Sequence, residues 1–222
     1  LDNLENIAQM IHKVIYDDAF MERLLHQLSI NVTEMFRDPG FYAAVRKKAV
    51  PILATWPHVK VWHAGCASGE EVYSMAILLK EEGLYSKCKL YGTDFSPTVL
   101  EEARQGVYKI ESIKGYTENY IRAGGKESFS DYYTANYDYV LIDKSLKSNI
   151  MFAEHNLTLD SVFSEVNMVV CRNVMIYFDR TLQNRVLKLF WESLCPGGLL
   201  CLGNKEAITP ECKDLFEPID EK

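Results

Sequence analysis

The stretch V-W-H-A-G-C-A-S-G-E-E-V-Y-S-M sets Gly65 and Gly69 four residues apart, between a short apolar run and an amphipathic one, with Glu70 and Glu71 directly after them. A glycine turn feeding a helix usually cradles a phosphate, because the helix N-terminal N–H groups and dipole favour an anion. Two acids at that start argue against one. No G-K-[ST] follows, and G-x-G-x-x-G is matched only loosely. The tract suits a ligand bringing cations, hydroxyls or amines. S-adenosylmethionine is such a ligand, with a sulfonium and an ammonium and no phosphate; the glycines admit its amino-acid end and a carboxylate can pair with its ammonium. The acids could equally complement the helix dipole, at about 0.3–1 kcal/mol each, so the tract alone leaves both readings open.

A further acid, Asp94, closes the apolar run C-K-L-Y-G-T-D. An acid at that edge of a parallel sheet can accept both hydroxyls of a ribose. Nicotinamide and adenosylmethionine enzymes share this device; the D-x-S-x-x-x-L-x-x-A spacing from Asp94 to Ala103 favours the second, and an ordinary turn acid is the plain alternative. The six cysteines form no C-x-x-C pair, and neither they nor the five histidines fall at metal-ligand spacing, so no metal site is expected.

These residues need a frame. Val59–Ala64 reads as a strand, 70–83 as a helix ending at Gly83, Cys88–Asp94 as a strand, and 96–106 as a helix with Ser96 as N-cap and Pro97 at its first position. Strands follow at 149–155 and 166–173, then a helix capped by Asp179, then a fifth strand after the Pro196-Gly197-Gly198 turn. Alternation of this kind predicts a doubly wound α/β fold with a parallel sheet. Upstream, apolar spacing predicts helices over 4–15, 20–28 and 41–54. The Tyr-rich stretch 110–149 breaks the rhythm, and Y-D-Y-V-L-I-D followed by K-S-L-K-S-N suggests a small antiparallel β insertion.

Composition narrows the class. With 222 residues and 48% hydrophobic content, one main domain is expected. A net charge of -7 argues against nucleic acid or an anionic membrane surface as partner. No run approaches the roughly 20 apolar residues of a bilayer span, and no signal-type N-terminus is present. The unpaired cysteines suit a reduced, cytoplasmic protein, so the sequons at Asn31 and Asn156 are read as chance matches. Because position 1 is Leu, the natural chain is expected to begin upstream.

Taken together, N-V-T-E-M-F-R-D-P-G-F-Y, G-C-A-S-G-E-E-V-Y-S-M-A-I-L-L, Y-G-T-D-F-S-P-T-V-L-E-E-A-R-Q-G-V-Y, H-N-L and the run from Val169 to Glu206 resemble the CheR family of chemoreceptor methyltransferases. The resemblance spans about Ser29 to Glu217. It implies a Rossmann-like class I methyltransferase domain over 31–222 with a small antiparallel β subdomain at about 110–149, behind a shortened N-terminal helical segment at 1–30. It implies transfer of the methyl group of S-adenosyl-L-methionine to a protein glutamate, leaving S-adenosyl-L-homocysteine.

By position, Asn31, Thr33 and Arg37 match the N-x-T-x-x-x-R segment that closes over the cofactor. Gly65 lies in the glycine loop and Glu71 matches the acid at the ammonium. Asp94 matches the ribose acid, Asn156 and Leu157 the pair at adenine, and Arg172 with Asn173 the C-R-N after the fourth strand. Arg37 and Tyr177 match the residues lining the transfer centre, and a lid formed by 31–37 is expected. Plainer readings stand beside these: Thr33 as a helix cap, Leu157 and Tyr177 as packing, Arg37 with Asp38 as a surface pair. Val72 stands where the family has Pro, and few basic residues precede Asn31, which puts receptor docking in question. A cofactor-sensing module and a small-molecule methyltransferase are the other functions this reading carries; a monomer with a protein or peptide partner is expected.

Overall fold

The computed structural model describes residues 7–17, 20 and 33–219. The chain divides into two units, 1–32 and 33–222. In the first, α1 (Ile7–Tyr16) exposes Ile11, Ile15 and Tyr16, and the Phe20 N–H caps onto Asp17 Oδ1 at 2.9 Å. Beyond Phe20, the helix expected to 28 lies outside the described residues, as does Asn31.

The second unit begins its regular structure with α2, a continuous helix in three pieces: Pro39–Ala44, a wider π-type turn Val45–Ala49, and Val50–Ala54. Pro51 has no N–H to give the carbonyl four residues back, and just before it the Val50 N–H reaches five residues back to Val45 O. Strand β1 (Val59–Ala64) leads to α3 (Glu70–Glu81). Helix α3 closes at Gly83, whose φ of 71° permits the paired bonds Leu84 N–H to Leu79 O at 2.8 Å and Gly83 N–H to Lys80 O at 3.1 Å. Next come β2 (Cys88–Asp94) and α4 (Pro97–Gln105). Ser96 does stand at the N-cap of α4, but its side chain makes no capping bond.

The irregular stretch resolves into β3 (Val107–Lys109), α5 (Ile113–Arg122), β4 (Tyr133–Asn136) and β5 (Tyr139–Ile142). The three strands form an antiparallel sheet in the order β3-β5-β4, with Tyr108 opposite Val140 and Tyr133 opposite Ile142. The sheet therefore starts ahead of residue 110 and contains a helix. K-S-L-K-S-N is not a strand: Asp143 Oδ1 takes the Ser145 N–H at 2.8 Å and starts the short helix α6 (Lys144–Lys147).

The chain then returns through β6 (Ile150–Glu154) and β7 (Val166–Cys171) to α7 (Arg180–Ser193) and β8 (Leu194–Leu202). Asp179 caps α7 by accepting the Leu182 N–H at 2.8 Å. Pro196-Gly197-Gly198 lies inside β8, where the pairing with β7 jumps from Val166–Leu194 to Met168–Leu199. Gly197, at φ 77°, lets the strand bulge there rather than turn before it.

All five long strands are parallel, in the order β6-β2-β1-β7-β8. Side chains alternate across β1: Val59 and Val61 join the core that contains Val72, Met75 and Leu79 of α3. Trp62 and Ala64 join the core that contains Val186, Leu187 and Phe190 of α7. Both faces are thus covered, and the strand order reverses between β1 and β7. A crevice opens beyond the carboxyl ends of strands at such a reversal. Gly65 and Arg172, the first residues after β1 and β7, stand at its mouth.

Candidate active site

The loop leaving β1 is bent by backbone that only small residues accept easily. Gly65, Ala67 and Gly69 have φ of 77°, 46° and 90°, and the N–H groups of Gly65 and Cys66 donate to Thr93 O at 2.8 and 2.9 Å. A Cβ on Gly65 would stand 2.5 Å from Val174 Cγ2, and one on Gly69 2.9 Å from Ala103 Cβ. Asp94 locks the same loop from β2: Oδ2 accepts the Ala67 N–H at 3.0 Å and Oδ1 the Ser96 N–H at 3.1 Å. Burial raises the pKa of Asp94, against the pull of these amides.

The two adjacent acids have parted company. Glu71 is 17% exposed and ties its Oε1 to His63 Nδ1 at 2.9 Å and its Oε2 to Arg172 Nη1 at 3.1 Å. Burial lifts its pKa, but the hydrogen bond and charge of His63 and the charge of Arg172 outweigh it, and the net shift is downward. Glu70 is buried and accepts from Ser68 Oγ at 2.8 Å; burial pushes its pKa up to about 7. It sits at the seam with the small sheet, where the Tyr108 hydroxyl of β3 donates to Ser68 O at 2.8 Å.

Arg172 is the hub of the site. Its side chain is 2% exposed, and its Nη2 donates to Asp38 Oδ2 at 2.6 Å and to Arg37 O at 3.0 Å. The guanidinium lies 4.2 Å from the centre of the Phe41 ring, and its Nε is buried with no partner among the described residues. Desolvation pulls its pKa down, but Glu71, Tyr42 and Asp38 hold it above the ordinary arginine value. Asp38 is therefore the acid of Arg172, not a surface partner of Arg37.

The remaining sequence candidates are placed as follows. Thr33 is half-buried, and the segment after it is anchored: Met35 and Phe36 are fully buried, Phe36 N–H donates to Ser74 Oγ at 2.9 Å, and Asn119 Nδ2 to Met35 O at 3.2 Å. The expected lid is thus, over 35–36, part of the packed core, because its two apolar residues bury better than they would swing. Asn156 Oδ1 accepts from the N–H and hydroxyl of Thr158, and Leu157 is buried in the α7 core. His155 N–H donates to Asp94 O at 3.1 Å, which sets this pair beside the end of β2. Asn173 has left-handed backbone with φ 61°, and Tyr177 is 60% exposed on the 3-10 turn Met175–Tyr177. Direct contacts join Glu71, Arg172 and the Arg37 carbonyl; Gly65 and Asp94 share the loop beside them, with Val174 against Gly65.

Two organising residues carry no role in the sequence reading. Glu206 accepts four backbone N–H groups, from Asn173, Val174, Met175 and Gly203, at 2.7 to 3.0 Å, so one carboxylate holds the Arg172–Met175 loop. Its signal was an acid shortly after the last strand, in G-N-K-E. His63 is fully buried, on the face of β1 that packs under α3; its signal was a polar residue inside an apolar strand. A groove of about 600 Å³ opens elsewhere, between α7 and 159–161, lined by Asp160, Asn184, Arg185 and Lys188, and holds none of these residues.

The site presents a guanidinium and a carboxylate side by side and a second acid at the next strand. That pattern suits a zwitterion joined to a hydroxyl-bearing ring and suits a polyphosphate poorly. Comparison with known proteins agrees. Residues 31–222 match the model of the CheR methyltransferase, SAM binding domain. The chain is 50% identical to Cher3 of Pseudomonas putida over 96% of its own length and 78% of that protein. It is 29% identical to the chemotaxis protein methyltransferase of Listeria monocytogenes, over 86% of this chain and 71% of that one. Among solved structures, a SAM-dependent methyltransferase from Geobacter sulfurreducens in complex with S-adenosyl-L-homocysteine superposes with a TM-score of 0.39 at 14% identity, covering 71% of this chain and 46% of that one. The family match over 31–222 makes S-adenosylmethionine the cofactor.

Proposed function

Because the chain belongs to the CheR family of S-adenosylmethionine-dependent methyltransferases, we propose that its methyl acceptor is a glutamate carboxylate on a cytoplasmic protein partner of chemoreceptor type, met by a single copy of this chain. The observation that carries the reading is the paired Glu71 and Arg172 at the strand-order reversal. The residues present fit the cofactor. Arg172 has a buried Nε without an acceptor among the described residues, which suits a carboxylate end, and Glu71 suits an ammonium. Gly65 leaves no room for a Cβ on its own backbone, and Asp94, at the carboxyl end of β2, is the acid this reading assigns to the ribose hydroxyls. The reading assigns Asn156 and Leu157 to the adenine side, Thr33 to the segment beside the cofactor, and Asn173 to the loop that presents Arg172; Asn31 lies outside the described residues.

When bound, adenosylmethionine supplies an electrophilic methyl group on a sulfonium. The rest is positioning. A glutamate side chain with a pKa near 4.3 is already an anion at neutral pH, so the site needs no general base. Tyr177, exposed and on the loop held by Glu206, can donate a hydrogen bond that orients the incoming carboxylate. Arg37 steers the same group. A tight bidentate grip by Arg37 would stabilise the nucleophile and slow it, so orientation is the role that chemistry allows. Dry surroundings favour a reaction that annihilates charge.

The test is transfer from methyl-tritiated adenosylmethionine to chemoreceptor cytoplasmic fragments. Base-labile label released as methanol is expected, since a γ-glutamyl methyl ester hydrolyses readily. Label that is base-stable, or that resides on a small molecule, would overturn the proposed acceptor while leaving the family intact.

A further inference from the structure

We infer that Glu206 and Gln183 are positioning residues for methyl transfer: they clamp the turn that carries Tyr177 from its two ends and so fix where its hydroxyl meets the acceptor. The inference rests on the reading of Tyr177 given above.

After Arg172 the chain takes a left-handed residue, Asn173 at φ 61°, and then Val174 at φ -112° and ψ -54°. The consecutive amides of Asn173, Val174 and Met175 all converge on one carboxylate. Successive N–H groups turned to one side form a nest for an anion, and here the chain supplies the anion itself. Glu206 Oε1 accepts from Val174 and Met175 at 2.9 and 2.8 Å, and Oε2 from Asn173 and Gly203 at 3.0 and 2.7 Å. A carboxylate has about four lone-pair sites, so these four bonds leave Glu206 nothing to offer a cofactor or an acceptor. Its role is confined to the backbone. Gly203 makes the close approach possible: its carbonyl accepts the Glu206 N–H at 2.9 Å, and a Cβ on it would stand 2.6 Å from Glu206 Oε2.

The other end of the turn is held from α7. Gln183 Nε2 donates to Met175 O and to Phe178 O, both at 3.1 Å, and between them the Tyr177 N–H reaches Val174 O at 3.2 Å. One side chain thus fixes the amides of the turn and another its carbonyls. Tyr177 lies within the clamp and is 60% exposed, so little packs on its ring and the backbone beneath decides where its hydroxyl goes. Arg172 depends on the clamp less, because Glu71, Asp38 and the Arg37 carbonyl hold its guanidinium directly. Loosening the turn is therefore felt in the transfer step before it is felt in cofactor affinity.

Glu206→Gln keeps the shape of the side chain but turns one accepting oxygen into a donor facing two N–H groups. It is expected to lower kcat on chemoreceptor cytoplasmic fragments several-fold, as Tyr177→Phe does, with the affinity for S-adenosylhomocysteine unchanged by calorimetric titration. In the Tyr177→Phe background the same substitution is expected to cost less than about twofold, because the hydroxyl it positions is gone. An equal loss in both backgrounds, a loss in affinity alone, or none at all would overturn the inference. Tyr177→Phe with undiminished turnover sinks the reading of Tyr177 and this inference with it; a loss in Tyr177→Phe without one in Glu206→Gln sinks only the clamp. Should Glu206→Gln not fold, Gln183→Leu carries the same comparison from the other end of the turn. Amide-hydrogen exchange tests the clamp whatever the acceptor proves to be: the Val174 and Met175 N–H groups are expected to exchange at least about tenfold faster in Glu206→Gln, with those of β7 unchanged, and unaltered exchange refutes it.

Discussion

Replacing Arg172 with Met keeps most of the side-chain volume and removes the charge on which the site is built. Asp38 is 37% exposed and can recover water, so the loss concentrates on Glu71, which is 17% exposed and would keep only His63. Removing one partner of a buried ion pair costs about 3–5 kcal/mol; with His63 still in place, about 3 kcal/mol is expected at pH 7.5. For a domain of this size that corresponds to a fall in Tm of roughly 6–12 °C.

The pH dependence distinguishes this cause from simple core damage. In the native protein the folded-state pKa of Glu71 is depressed, so its stabilisation is present above the unfolded carboxylate value and is lost as pH falls through the folded value. In the variant, burial and the His63 contact remain while the Arg172 attraction is gone, so the ionised carboxylate is held less well than in the native protein, and the two proteins differ least when it is protonated. The difference in unfolding free energy, measured by urea titration, is therefore expected to be largest near pH 7.5 and to shrink toward pH 4. A difference that stays constant over that range would refute the electrostatic account and assign the loss to packing on Phe41.

Three further outcomes follow from the geometry. Glu70 has its folded pKa raised to about 7, so its stabilisation is complete below the unfolded value near 4.3 and is lost as pH rises through 7. Glu70→Gln should therefore gain on the native protein between pH 4.5 and 8 by about 3 kcal/mol, and a flat difference in urea midpoints would count against it. Gly65→Ala combines a left-handed backbone with a Cβ pressed on the stiff Val174, and should cost about 2–4 kcal/mol and weaken cofactor binding; unchanged stability would mean the loop has another conformation. Tyr177→Phe should lower kcat several-fold while titration finds the affinity for S-adenosylhomocysteine unchanged, and equal turnover would remove the hydroxyl from the mechanism.

Much of the frame was legible in the chain because it depends on local pattern. The strand at Cys88–Asp94 begins and ends where its apolar run does, and the helices after Gly69, Ser96 and Asp179 start where glycine, proline or an acid makes a start cheap. K-S-L-K and Pro196-Gly197-Gly198 misled for the complementary reason. An Asp cap and a bulge each depend on what the neighbouring segment offers, and composition does not carry that.

The sequence by itself determined the alternation that makes a doubly wound sheet, the glycine loop, and the acids at its exit, since strand period, capping and turn chemistry act within a few residues. It could not separate Glu70 from Glu71, because adjacent helical residues point about 100° apart and what each meets comes from distant chain. Only the tertiary structure decided that Glu71 would face Arg172, 101 residues away, while Glu70 turned toward Ser68 and the small sheet. It likewise decided that Asp38 would serve Arg172 and that Glu206 would hold the loop bearing it. Burial selects these partnerships, because a charge removed from water must find its counter-charge wherever the fold brings one.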